Sequence, residues 1–354
     1  MQFTKHMNNA QYLIALGLVT IATGCGSGSG SVTPKLISVA SPSTAQTSDI
    51  SASGVNDVAM ASIISLKAPV RGIYLVNSSD NKSAKIYDCA AGTNDGCLIE
   101  LASGTALQDL LNASSMDVDA GTYDMVQIET CKSEGSYSAK VTASASISST
   151  TYYSKSNGSV TTSSPAEEMT VTFTGCALQV KQPQSVTVSK GDSISFKLYF
   201  DPRELVWMGK SSGGSAWVPS GCSGTGSSAF LCMAYPNVTG TVDSANPTVE
   251  RYRINGLSTF GLMFNSSGGF IGGYSRRYYS GATSGTLFNA DTPIGGLTDH
   301  GDGTYELTTY GNSSDLTSSY YFKSTTFRRQ NHTSSFSLLT GGTTTTGTYT
   351  ATQI

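Results

Sequence analysis

His300 and His332 are the only histidines beyond the N-terminal segment, so acid–base chemistry near neutral pH has to use one of them or find another base. His300 stands between Asp299 and Asp302, with Glu306 close behind, a spacing that sets a base beside carboxylates. Gly209-Lys210-Ser211-Ser212-Gly213 satisfies G-x-S-x-G. That motif works only when a strained strand-to-helix turn presents the serine. The GSAWVPSG that follows, starting at Gly214, has no helical character, and a Gly/Ser loop is the expectation. The same Gly-Lys-Ser lacks the earlier glycine of a phosphate-binding loop, because position 204 is glutamate. Asp117, Asp119 and Asp124 around Gly121, and Asp299 and Asp302 around Gly301 and Gly303, offer hard oxygen ligands of the kind calcium takes. Neither set has the full spacing of a calcium loop, and Asp-Gly turns between strands account for both. No cofactor, metal or catalytic set is expected.

A different chemistry is offered by aromatic and guanidinium groups. Tyr274, Tyr278 and Tyr279 surround Arg276 and Arg277, while Tyr320, Tyr321, Phe322 and Phe327 precede Arg328 and Arg329. Such side chains stack on sugars or anchor a protein partner, which makes this the candidate ligand surface of the chain. The competing reading is a set of strands with one aromatic face in the core and the arginines outside. Trp207 and Trp217 flank a change of sequence character and suit packing between domains.

Seven cysteines are present. Cys25 follows the short apolar run Tyr12 to Ala22 and the small residues Ala22-Thr23-Gly24, with Lys5 and His6 at the start. This is the anatomy of an export signal, and the run falls short of the ~20 residues that span a bilayer. Ile21-Ala22-Thr23-Gly24-Cys25 resembles the lipobox of bacterial lipoproteins, with Ala22 where leucine is usual. The resemblance implies diacylglyceration of the Cys25 thiol and acylation of the new N-terminus. Plain secretion, cutting at the same place and leaving Cys25 unmodified, is the alternative. Removing one lipidated cysteine leaves an even set, suited to disulfides in an oxidising compartment. The close pairs Cys89 with Cys97 and Cys222 with Cys232 suggest two staples, leaving Cys131 with Cys176. Gly26 after the cysteine is similar to lipoproteins released to the outer membrane.

Charged residues make up 13% of the 354, with a formal net charge of −3, which excludes the basic footprint of a nucleic-acid binder. Gly26 to about Ser53 is Ser/Thr/Gly-rich and reads as a flexible linker. Ala106 to Ala113 places Leu107, Leu110 and Leu111 at helical spacing and is the one expected helix. Elsewhere alternating runs such as Gly121 to Thr130, Met169 to Thr174 and Ser193 to Phe200, separated by Gly, Ser and Asn turns, predict strands. LLNASSMDVDAGTYDMVQIE from Leu110 and QSVTVSKGDSISFKLYFDPRELV from Gln184 resemble two stretches of an uncharacterised domain of bacterial lipoproteins. That resemblance covers at most Ala68 to Val206, interrupted by the unmatched Ile147 to Pro165, and implies a transthyretin-like β-sandwich with no established catalytic residues.

The expectation is therefore an all-β, mainly antiparallel chain: signal peptide 1–24, lipid-anchor cysteine and linker 25–55, a β-sandwich domain 56–208 and a second β-rich domain 209–354. Its expected role is that of a lipid-anchored outer-membrane protein, not an enzyme, serving as a structural or adhesin-like binding module with a protein or glycan partner. The alternatives are a secreted or surface-attached hydrolase of extracellular polymers built on His300, and a carbohydrate-binding module.

Overall fold

A computed structural model of the chain describes residues 28–39, 56–102, 108–132, 134–211, 222–223, 229–234, 236–254, 258–280, 287–299, 305–310, 319–324, 336–340, 343–347 and 351–353. Cys25, Trp217, His300, Asp302, Phe327, Arg328, Arg329 and His332 lie outside these residues. The described chain is built from strands, with one 3-10 turn at Asp95–Cys97.

Strands form where apolar residues recur at every second position. In Met169–Thr174, Met169, Val171 and Phe173 are buried and the intervening threonines exposed. Ser136–Ile147 behaves likewise, burying Tyr137, Ala139, Val141, Ala143 and Ala145. Four sheets made of such strands share one apolar core, running in sequence from Val32 to Val238. This is the sandwich-like first module. Its staples are Cys89–Cys97 and Cys131–Cys176. Cys232 is also disulfide-bonded, and the residue directly across the ladder from it is Cys222.

Three boundaries differ from the sequence expectation. The expected linker contains Ser29–Ser38, a strand of the core that pairs in parallel with Ser193–Phe200, Ser31 opposite Ser193 and Ser38 opposite Phe200. Val32, Pro34 and Leu36 supply its buried face. Pro34 has no N–H to give to a ladder. It sits where the other neighbour changes from Met116–Asp119, paired with Ser29 to Val32, to Gln108–Asp109, paired with Ile37 and Ser38. The expected helix is overturned at that same place: Gln108 and Asp109 are extended, and the Leu110 N–H donates to the Leu36 carbonyl. Sheet pairing outcompetes a helix of two turns, which is marginal alone. Finally, the expected division at 208/209 falls inside the strand Val206–Ser211, which pairs with Asn56–Met60 and Ala229–Met233 of the first module. The pairing changes partners later, across 242–247: Thr239–Thr241 still belongs to Ser193–Phe200, and Thr248–Ile254 opens a new sheet.

That second sheet is an antiparallel meander in which each strand from Thr248–Ile254 to Thr343–Gly347 pairs with the next. The last segment, Ala351–Gln353, returns to Thr248–Ile254, with Tyr252 opposite Gln353. Laid flat, the strands of this 9-stranded sheet would hold its edges about 38 Å apart at ~4.8 Å per step. The four Cα steps from Gly347 to Ala351 reach at most about 14 Å. The sheet must therefore curl until its edges meet. Thr343–Gly347 and Ala351–Gln353 run in the same sense, as one interrupted strand that closes an up-and-down barrel.

Candidate functional site

The barrel meets the first module through an apolar contact, a buried charged cluster and further packing of Phe270–Ser280 and Leu287–Asp299 against Ala177–Val188 and Thr239–Thr241. Ile37, Val39 and Tyr199 of the module pack against Met263, Ile271 and Tyr274 of the barrel. Beside them lies the turn Asp201-Pro202-Arg203-Glu204, which follows directly from the Ser193–Phe200 strand. Into this turn the barrel inserts Arg251, Tyr274 and Arg276.

Strand geometry explains why those three converge. Arg251, Gly261 and Tyr274 are consecutive cross-strand partners, and Arg276 is two residues beyond Tyr274, on the same face. Gly261 has no side chain between its neighbours, so the Tyr274 ring lies across it; a Cβ there would strike Cε1 and Cζ of the ring. The tyrosine thereby reaches both modules. Its Oη donates to Asp201 Oδ2 at 2.5 Å and accepts from Arg251 Nε at 3.3 Å.

Asp201 is the centre of the cluster. Its carboxylate accepts a fork from Arg203, Nε at 2.9 Å and Nη2 at 2.7 Å, together with the Arg203 backbone N–H at 3.0 Å. Arg251 Nε lies 3.5 Å away, and Arg251 Nη2 meets Glu204 Oε2 at 3.0 Å. Arg276 donates to the carbonyls of Asp201 and Arg203 and stacks over the Tyr274 ring at 4.1 Å. Glu204 adopts φ +58°, a left-handed conformation that costs a non-glycine residue about 1–2 kcal/mol. The turn holds it there against Arg251.

Burial by itself would raise the Asp201 carboxyl. The Arg203 hydrogen bonds and the charges of Arg203, Arg276 and Arg251 outweigh it and hold the group well below the usual carboxylate range. Burial, seconded by the Asp201 charge, pushes Tyr274 above its ordinary value and keeps it a phenol that can donate. The Arg251 guanidinium loses by desolvation and gains more from Tyr274, Asp201 and Glu204. With Asp201 and Arg276 both at 0% exposure and Tyr274 at 1%, no solute reaches the carboxylate. The cluster is a clamp between modules and not a base.

This corrects the sequence reading of Tyr274 and Arg276 as a ligand surface: both are interior. Arg277, Tyr278 and Tyr279 continue the same strand, Phe270–Ser280, toward Asn289 and its neighbours in the register. Arg328 and Arg329 are outside the described residues. Asp201, Arg203, Glu204 and Arg251 went unrecognised in the sequence. The one available signal was an acid–base–acid turn in a chain with few charges.

The other motifs resolve simply. Gly209 and Lys210 sit mid-strand, with the Phe230 ring lying over Gly209, while Ser212 and Gly213 lie outside the described residues. Trp207 is buried, edge-on to Phe230, on the face of its strand opposite the core residues Val206 and Met208. Asp124 is committed to a hairpin, accepting from the Ser78 N–H at 2.8 Å and its hydroxyl at 2.6 Å. Asp117 and Asp119 are exposed on their strand and do not converge with it. Among the described residues the one close set of metal-type ligands is Cys131, Glu134 and Cys176, whose sulfurs are already bonded to each other. Asp299 pairs in register with Tyr305, and Thr298 with Glu306, while His300 and Asp302 lie outside the described residues.

A groove of about 630 Å³ opens at the opposite end of the first module, around Gly28. Asn77, Asp80, Lys82, Asp119, Gly121 and Tyr123 line it. Asp80 pairs with Lys82 at 3.2 Å, and the Lys82 backbone N–H, more than the ammonium, holds the Asp80 carboxyl below its ordinary value. Tyr123 donates to the Asp119 carbonyl at 2.8 Å and is pushed up by burial.

No protein-family model, curated protein or solved structure matches this chain.

Proposed function

We propose that this is an exported protein held on the outer membrane by acyl chains on Cys25, acting as a structural or binding module of the cell surface with a protein or glycan partner. The observation that carries this reading is the state of the cysteines. Cys89, Cys97, Cys131, Cys176 and Cys232 are disulfide-bonded, as befits an oxidising compartment. Cys222 faces Cys232 across the ladder, so of the seven cysteines Cys25 is the odd one. An odd cysteine after a short apolar run is where a lipid is attached. Two or three acyl chains at ~0.8 kcal/mol per buried methylene hold such a protein without a protein span. The rest of the chain then works by rigid display: a barrel clamped to a cross-linked module.

The test is intact-mass and N-terminal peptide mass spectrometry on protein extracted from its native membrane. A mature chain beginning at acylated Cys25 with the other six cysteines oxidised is the expected result. An unmodified Cys25 on protein recovered from the medium would overturn the reading.

A further inference from the structure

The fold leaves almost no slack between the proposed anchor and the folded module. Gly28 is already fixed: its carbonyl accepts from the Ala120 N–H at 2.8 Å, and the Lys190 stem packs against it. The next residues are pinned as firmly, Ser29 O by the Gly191 N–H at 2.9 Å and the Ser31 N–H by Asp192 O at 2.7 Å. Cys25 precedes Gly28 by three Cα steps, which reach at most about 11 Å.

From that pinned end two parallel strands, Ser29–Ser38 and Ser193–Phe200, run together through the first module. At ~3.3 Å per residue, Ser29–Ser38 carries the chain about 30 Å. At its far end Ile37 and Val39 touch the barrel, and the partner strand leads straight into the Asp201 clamp. Anchor and barrel thus stand at opposite ends of the same two struts.

We propose that the turn end around Gly28 rests on the phospholipid headgroups of the anchoring bilayer and that the barrel is the membrane-distal head, about 30 Å further out. This rests on the lipid anchorage proposed above. The turns Asn77 to Lys82 and Asp119 to Gly121 and the Lys190-Gly191 turn surround the exit of the chain, so a bilayer within reach of Cys25 meets them first. Their chemistry suits a zwitterionic surface: exposed Lys82 and Lys190 face phosphate, and Asp80 and Asp119 face ammonium groups. The groove is then an indentation of the membrane face, and any partner approaching from outside meets the barrel first.

The experiment uses the acylated full-length chain in phosphatidylethanolamine vesicles carrying a headgroup-attached quencher. A fluorophore is placed at Ser79, in the turn beside the groove, or at Ser267, in the barrel hairpin next to Ile271; both positions are exposed. Several-fold stronger quenching at Ser79 than at Ser267 is the expected result. Equal quenching, or stronger quenching at Ser267, overturns the orientation. Co-sedimentation with the vesicles reads the anchorage separately. Protein that sediments with reversed quenching refutes the orientation alone, and protein that does not sediment refutes the anchorage and the orientation with it.

Discussion

Replacing Asp201 with alanine should weaken the chain more than any exposed charge removal. The cluster holds three guanidinium groups, Arg203, Arg251 and Arg276, against two carboxylates, Asp201 and Glu204. Its formal charge is +1, and without Asp201 it becomes +2 in an interior closed to water. Breaking a buried pair from one side costs about 3–5 kcal/mol, because the remaining charges are left uncompensated. Arg203, 23% exposed, recovers part of its loss in solvent, so the estimate is ~4 kcal/mol, carried mainly by Arg251, Arg276 and the Tyr274 phenol. For a unit of 150–250 residues that corresponds to a fall of about 8–16 °C in Tm. Asp201→Asn keeps the shape and an acceptor for Tyr274 and should lose most of the same stability, which separates charge from packing. Lys82→Ala, which removes an exposed pair in the turn beside the groove, should stay within about 0.5 kcal/mol. The assay is calorimetric unfolding of the disulfide-intact chain, with proteolysis across 242–247 as a second readout of module separation. A loss under ~1 kcal/mol for Asp201→Ala, with those bonds equally protected, would refute the clamp.

The same carboxylate sets a pH dependence. Its folded value lies below its unfolded one, so its contribution is complete above about pH 4 and disappears as pH falls further; urea midpoints should drop there in the native chain and flatten in Asp201→Asn. At the alkaline side Tyr199, pushed up to about 12 chiefly by burial, contributes stability that is full below about pH 10 and lost as pH rises through its folded value, which Tyr199→Phe should remove from the unfolding profile. Gly261→Ala should cost about 1–3 kcal/mol, since the new methyl displaces the Tyr274 ring from both modules, measurable as a lower denaturant midpoint. On the chain-entropy estimate the Cys89–Cys97 loop contributes about 2.5 kcal/mol and the Cys131–Cys176 loop about 4; double serine variants of each pair should show that order in urea, and a reversed order would count against loop length as the cause.

What was legible in the sequence was local. Alternation in Met169–Thr174 and Gly121–Glu129 placed strands with the right faces inward, and short cysteine spacings marked the staple Cys89–Cys97. What was illegible depends on a partner far along the chain. Ser29–Ser38 is poor in large apolar residues and carries a proline, so it reads as linker until Ser193–Phe200 lies beside it. The leucines of Ala106 to Ala113 satisfy a helical template that the edge of Ser29–Ser38 overrides. Barrel closure turns on Gln353 finding Tyr252. For Tyr274 and Arg276 the pattern on their own strand could not separate a displayed face from one pressed against a neighbouring module. Asp201 decides that, and it lies 73 residues from Tyr274.

Why a charged clamp stands at this junction follows from what apolar contact alone would leave undetermined. Among the described residues the apolar cluster that joins the modules holds six buried side chains, and hydrophobic contact is non-directional, so by itself it sets the angle of the barrel poorly. A well-packed apolar substitute would cost little stability, because desolvating charges consumes most of what their attraction returns. Direction is what the charges add. Asp201 accepts a planar fork from Arg203 and a single Tyr274 phenol, while Arg276 is held by two carbonyls of the same turn, and few orientations satisfy all of these together. A fixed angle matters for a head that is displayed and not for a core that only has to persist. With the proposed anchorage at Cys25, the clamp, the parallel struts and the short reach to that cysteine would act as one device, transmitting the position of the anchor to the barrel with little freedom at any joint.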